Sequence, residues 1–142
     1  MAINQKHFRK RDAILEYLRH TNAHPSAETI YTDLKPQIPD LAMGTVYRNL
    51  TLFKQQGLVS SVATVSGVER FDANTAPHVH FICSDCDAVI DLHQMDVPES
   101  LRATAEACCG GSVSGCQLSF TGICQNCKFI KESGETAIHL LF

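Results

Sequence analysis

Four cysteines stand in two pairs, Cys83-x-x-Cys86 and Cys124-x-x-Cys127. Two sulfurs at that spacing converge on one tetrahedral ion, and two such knuckles complete a closed four-thiolate site of the kind zinc prefers. A closed site offers no position to a substrate, so its expected role is structural: it would tie the turn near residue 84 to the chain near 125 and stabilise a lobe with little core. The same spacing also fits two unrelated pairs of buried cysteines, or a dithiol that cycles with a disulfide. Cys108, Cys109 and Cys116 have no partner at ligand spacing and are read as packed thiols.

A second group combines imidazoles and carboxylates. His78 and His80 alternate along an expected strand and share one of its faces, with Val79 and Phe81 on the other. On the next strand Asp91 and His93 share a face. Asp72 ends an earlier strand, and His24 falls in a loop. If His24, Asp72, His78, His80 and Asp91 converge, three imidazoles and two carboxylates surround one ion, a mixture suited to Fe(II), Mn(II) or Zn(II) and unlike the thiolate site. The plainer alternative leaves His24 and His93 in solvent and makes Asp72 a turn residue.

The elements that must position these groups follow from periodicity. Residues 5–20 read as a helix, with Phe8, Ile14, Leu15 and Leu18 at helical spacing beside the basic cluster Lys6, Arg9, Lys10 and Arg11. Ser26 is placed to cap a short helix through Ile30, Tyr31 and Leu34. Pro36 and Pro39 enforce a connection. A third helix is expected from Met43 to Gln56, burying Val46, Leu50 and Phe53 and stopping at Gly57. Two β-prone runs, 58–64 and 68–72, are joined by Ser66-Gly67, a hairpin signal. Three helices and a hairpin describe a winged helix-turn-helix, whose third helix enters the major groove of DNA. Beyond a hinge at 73–77, strands are expected at 78–83 and 88–92, a helix at 98–108 stopped by Gly110-Gly111, and a half-buried strand through Cys116, Leu118 and Phe120. The class is α+β.

Composition agrees with a folded protein that meets both an anion and a cation. The hydrophobic share is 44%. The net charge of −3 hides an asymmetry: residues 1–60 hold eight Lys/Arg against five Asp/Glu, and residues 61–142 hold four against ten. The N-terminus carries charges without an apolar core, and no apolar run approaches a membrane span, so a cytoplasmic location is expected. In that reducing compartment spaced cysteines favour metal over disulfides.

The strings Gly44-Thr45-Val46-Tyr47-Arg48-Asn49-Leu50, Gly57-Leu58-Val59, Arg70-Phe71-Asp72, His78-x-His80-x-x-Cys83-x-x-Cys86, Asp91 five residues later, and Phe120-x-Gly122-x-Cys124-x-x-Cys127 fall in one order along nearly the whole chain. In that order and spacing the chain resembles the ferric uptake regulator family. The resemblance implies a winged-helix DNA-binding domain over residues 1–73, a hinge at 74–77, and a small α/β dimerisation and metal-binding domain over 78–142, assembled as a homodimer. It implies structural zinc on Cys83, Cys86, Cys124 and Cys127, and a regulatory Fe(II) or Mn(II) on His24, Asp72, His78, His80 and Asp91. Aspartate at both carboxylate positions resembles the family's peroxide-sensing branch, in which bound Fe(II) reacts with hydrogen peroxide and oxidises ligand histidines, by correspondence His24 and His78. The expected function is a metal-dependent transcriptional repressor on a palindromic double-stranded operator; the alternative is an iron- or zinc-responsive repressor of the same family.

On the recognition helix Tyr47 and Arg48 are the candidates for base or sugar contacts, and Thr45, Asn49, Arg11 and Lys54 for phosphate; Tyr47 could instead pack on the preceding helix. Three departures from the family pattern stand out. Ala42 replaces a capping serine, Arg48 stands where some peroxide sensors have Asn, and Val79 and Cys116 occupy positions of an accessory metal site. Two other classes compete with this reading. A metal enzyme is disfavoured because five protein ligands leave little room for substrate, and a thiol–disulfide switch would need the two CxxC pairs free of zinc.

Overall fold

The computed structural model describes the backbone of residues 2–141 and the side chains of residues 9–134. Lys6 and Phe8, read above into the first helix, have side chains outside the described residues. The chain divides into two compact units, 1–76 and 77–142.

In the first unit, helix α1 (Ala2–Arg19) is followed by α2 (Ala27–Leu34) and α3 (Met43–Gln55), then by strands β1 (Ser60–Val65) and β2 (Val68–Asp72). The apolar stripes meet in one core around Ile14, Leu18, Ile30, Leu34, Leu50 and Phe53, closed from the hairpin side by Phe71. Ser26 caps α2 as its position predicts: its Oγ accepts a hydrogen bond from the Thr29 N–H at 3.2 Å. Ala42 precedes α3 without any side-chain cap, in keeping with the missing hydroxyl. The turn between α2 and α3 is held from within, where Lys35 Nζ donates to the Leu41 carbonyl at 2.7 Å.

The first strand begins at Ser60, two residues later than periodicity suggests, and the end of α3 explains why. Gly57 takes a left-handed φ of 72°, its N–H donates to the Lys54 carbonyl at 3.2 Å, and the Leu58 N–H donates to Phe53 at 2.9 Å. This is the paired closure of a Schellman cap, and it occupies Leu58 before the ladder can. Ser66 and Gly67, both with positive φ, make the tight turn that joins β1 to β2 antiparallel.

The second unit holds a three-stranded sheet in the order β4-β3-β5. Strand β3 (Val79–Cys83) pairs antiparallel with β4 (Val89–Leu92) and parallel with β5 (Ser119–Gly122), and helices α4 (Glu99–Cys109) and α5 (Gln125–Leu141) follow β4 and β5 respectively. The expected strand through Cys116 is corrected: pairing starts at Ser119, opposite His80, because β3 begins at Val79 and the Pro77 before it has no N–H to extend a ladder. Phe120 is exposed, not half-buried, in the single chain. Helix α5 is an addition to the sequence reading. Among the described residues no helix is long and apolar enough to cross a membrane.

The substitution Gly57→Ala tests the cap. A Cβ there meets no atom within 4 Å, so only backbone strain opposes it. We expect a loss of about 1–2 kcal/mol in urea unfolding, and no loss would remove the left-handed closure from the account.

Candidate metal centres and nucleic-acid interface

The sheet of the second unit gathers the four thiols. Cys83 ends β3, and its cross-strand neighbour in the parallel pair is Gly122, so Cys124 arrives beside it after a short step. The tight approach suits glycine: a Cβ at Gly122 would stand 3.3 Å from the Phe81 ring. The Ser84 N–H and hydroxyl both donate to the Gly122 carbonyl, at 2.8 and 3.1 Å, fastening the first knuckle to the second. Asp87, with φ 61°, turns the chain after Cys86, and Cys127 lies in the first turn of α5. The sulfurs of Cys83, Cys86, Cys124 and Cys127 all lie within 4.8 Å of one another, and none of the seven cysteines is bridged.

That geometry fits a tetrahedral ion. Metal–sulfur bonds of about 2.3 Å give sulfur–sulfur edges of about 3.8 Å, and Cys86 Sγ stands 3.8 Å from Cys124 Sγ. The protonation states are uneven. The Cys124 and Cys86 backbone N–H groups hydrogen-bond the Cys83 sulfur and pull its pKa down to about 6, whereas the neighbouring Cys124 thiol, aided by burial, pushes Cys127 up to about 12. Cys83 is therefore a thiolate near neutrality, while Cys127 must give up a proton to bind a cation.

The imidazole and carboxylate groups are assembled separately in each unit. In the first, His24 sits in the loop before α2 with a left-handed φ of 50°, and its Nδ1 is 3.5 Å from Asp72 Oδ2; both side chains are buried. A solvated His24 is thereby excluded. Asp72 divides its carboxylate, since Oδ1 accepts the Asn74 N–H at 2.8 Å, and Asn74 Oδ1 in turn accepts the Ala76 N–H at 3.2 Å. In the second unit His80 and Asp91 are direct cross-strand partners. Asp91 Oδ1 lies 3.2 Å from His78 Nε2 and 3.1 Å from His80 Nε2, and the two rings are 4.3 Å apart. His93 is exposed, with Nε2 3.9 Å from the other Asp91 oxygen. Nitrogen and carboxylate donors in these two groups suit a borderline divalent cation, and the thiolates suit zinc.

Arg70 belongs to the Arg70-Phe71-Asp72 motif and has a role that the motif alone does not reveal. It donates from Nε to the His24 carbonyl and from a terminal nitrogen to Ala23 at 2.8 Å. Strand alternation held the signal, because Arg70 and Asp72 share a face of β2.

On α3, Tyr47 is half exposed. Arg48 is exposed and donates to Thr45 Oγ1 at 3.2 Å; Asn49 Nδ2 donates to the Thr45 carbonyl at 2.8 Å. Two residues expected at phosphate have partners within the chain. Lys54 pairs with Glu69 at 2.9 Å, and Arg11 lies over the Phe53 ring at 5.3 Å and pairs with Asp12 at 3.5 Å.

Fold and side chains together define a winged-helix protein with a tetrathiol cluster and imidazole–carboxylate groups at metal-ligand distances. The model of the ferric uptake regulator family matches residues 3–121. The peroxide operon regulator of Bacillus subtilis is 38% identical over 119 residues, covering 84% of this chain and 81% of that one. The peroxide-responsive repressor PerR of Staphylococcus epidermidis is 36% identical over 121 residues, covering 84% and 79%. Among solved structures, the Campylobacter jejuni peroxide stress regulator shares the fold with a TM-score of 0.75 at 24% identity over 89% of this chain and 94% of that one. The Vibrio cholerae ferric uptake regulator gives 0.65 at 31% over 80% and 88%. The chain belongs to the ferric uptake regulator family.

With zinc on the tetrathiol cluster, elemental analysis should find one zinc per chain in the wild type and none in Cys124→Ser. Zinc should also leave as pH falls, because protons compete for sulfurs such as that of Cys127. A Cys124→Ser protein that kept its full zinc complement would refute the assignment.

Proposed function

We propose that the chain is a metal-dependent transcriptional repressor that responds to hydrogen peroxide. The observation carrying this reading is that aspartates, not glutamates, stand at both carboxylate positions, each beside histidine nitrogens, in a chain whose relatives at 36–38% identity bear peroxide-responsive names. In this reading residues 1–73 read DNA, 74–77 act as the hinge, and 78–142 pair two copies and hold the metals. Zinc on Cys83, Cys86, Cys124 and Cys127 is structural. His24 and Asp72 of one unit join His78, His80 and Asp91 of the other around one Fe(II) or Mn(II), and that shared hold selects the hinge setting that fits two half-sites of a palindromic operator. Its leverage equals the difference in metal affinity between hinge settings.

Fe(II) held there would activate hydrogen peroxide beside the imidazoles of His24 and His78: peroxide is the two-electron oxidant, its O–O bond breaks, one oxygen replaces a ring C–H hydrogen, and the other leaves as water. An oxidised imidazole is a poorer donor, so the two units lose their common hold and the operator is released. The signal is consumed with the residue, which is regulation, not turnover. Tyr47 and Arg48 face bases or sugars, and Thr45 and Asn49 lie beside them toward phosphate. Arg11 and Lys54 would reach phosphate only by leaving their present partners. Exposed Ile90, Leu101, Phe120, Ile123, Phe129 and Ile130 supply the apolar surface a second copy would cover in the cytoplasmic homodimer.

The test compares operator binding by Mn(II)- and Fe(II)-loaded protein, each with and without peroxide. Both forms should bind, peroxide should release the iron form alone, and mass spectrometry should find one added oxygen on peptides carrying His24 or His78. An iron form that stays bound and unmodified would hand the site to the iron- or zinc-responsive alternative. Separately, Arg48→Ala should weaken binding by about 1–3 kcal/mol at matched salt while leaving the dimer intact.

A further inference from the structure

We infer that Arg70 is a positioning residue for His24, holding it in the conformation that presents its ring to the regulatory ion. The inference rests on the reading above, in which His24 is a ligand. His24 has a positive φ, a backbone state that L side chains rarely adopt and that persists only where the surroundings impose it. The surroundings here are β2. Three consecutive carbonyls of the loop are taken by two consecutive residues of that strand: Arg70 donates to Ala23 at 2.8 Å and to His24, and the Phe71 N–H donates to Pro25 at 3.1 Å. The next residue of the strand is Asp72, whose Oδ2 stands 3.5 Å from His24 Nδ1. Ligand loop and ligand strand are thus one clamped piece, and the two donors of that piece are set relative to each other before any ion arrives.

The guanidinium is suited to this task. Its planar fork can engage two carbonyls at once, which a lysine ammonium on a flexible stem does less well. Without the fork the backbone of residues 23–24 loses what opposes its return to an ordinary conformation, and His24 swings from Asp72. The Phe71–Pro25 bond and the capped start of α2 would remain, so the unit keeps its fold while the donor pair loses its setting.

The experiment is a Mn(II) titration of full-length, zinc-loaded protein, followed by the loss of the free-ion electron paramagnetic resonance signal. Arg70→Met should raise the Mn(II) Kd about 10- to 100-fold, as removal of a group that orients a ligand commonly does, with Arg70→Lys intermediate. A merely structural arginine would lower the melting point of the manganese-free protein and leave the Kd alone, so a wild-type Kd in both variants overturns the inference whatever the melting shows. Should Arg70→Met fail to fold, Arg70→Lys decides by the same reading, raised Kd for and wild-type Kd against. His24→Ala separates the two levels. If that variant binds Mn(II) like wild type, the ligand assignment itself is wrong; if it binds weakly while the Arg70 variants do not, only the present inference falls.

Discussion

Backbone pairing along the two edges of β3 decides what the second unit can bind. On one edge the antiparallel register sets His80 opposite Asp91, and on the other the parallel register sets Cys83 opposite Gly122. A slip of a single residue on either edge would turn the facing side chains to the opposite surface of the sheet. The His80 N–H donating to Leu118 and the Cys83 N–H donating to Ala88 pin both registers at the residues that carry the donors. Two kinds of metal chemistry, thiolate and imidazole–carboxylate, are thus separated by little more than the length of one short strand.

The units differ in what holds them. The first buries a continuous set of aliphatic and aromatic side chains from all three helices and the hairpin. In the second the buried apolar positions among the described residues are Val79, Val89 and the sulfurs of Cys83 and Cys124, while α4 buries none of its side chains. Small units with so little core commonly depend on a metal or on assembly with a second copy. The tetrathiol cluster and the exposed Phe129 and Ile130 of α5 both belong to the unit whose core is thinner.

Much of this was legible from residue order. The three helices, the hairpin with its Ser66-Gly67 turn and the capping Ser26 follow from local rules, because each depends on neighbours a few residues away. The thiol cluster was legible because CxxC spacing is itself local and only the meeting of two pairs needs the fold. Alternation along the run from His78 to Cys83 puts His78 and His80 beside each other, but their meeting with Asp91 requires a register that spacing cannot supply. His24 was least legible: a loop histidine reads as solvated until the packing of the loop on β2 is known. The strand stops short of Cys116 because a strand extends only as far as its partner offers groups to bond, and α5 is hidden in the sequence because its start is shared with the second cysteine pair.

Asp72 carries a consequence of its own. One carboxylate oxygen looks toward the His24 ring and the other fixes the Asn74 amide, from which a second side-chain bond runs on to Ala76. The connecting segment is therefore hydrogen-bonded, link by link, to the same carboxylate that faces the histidine. Twist that group about its Cβ and the first links of the tether must re-form or break, so the setting of the carboxylate and the stiffness of the connection are geared to one another through two hydrogen bonds.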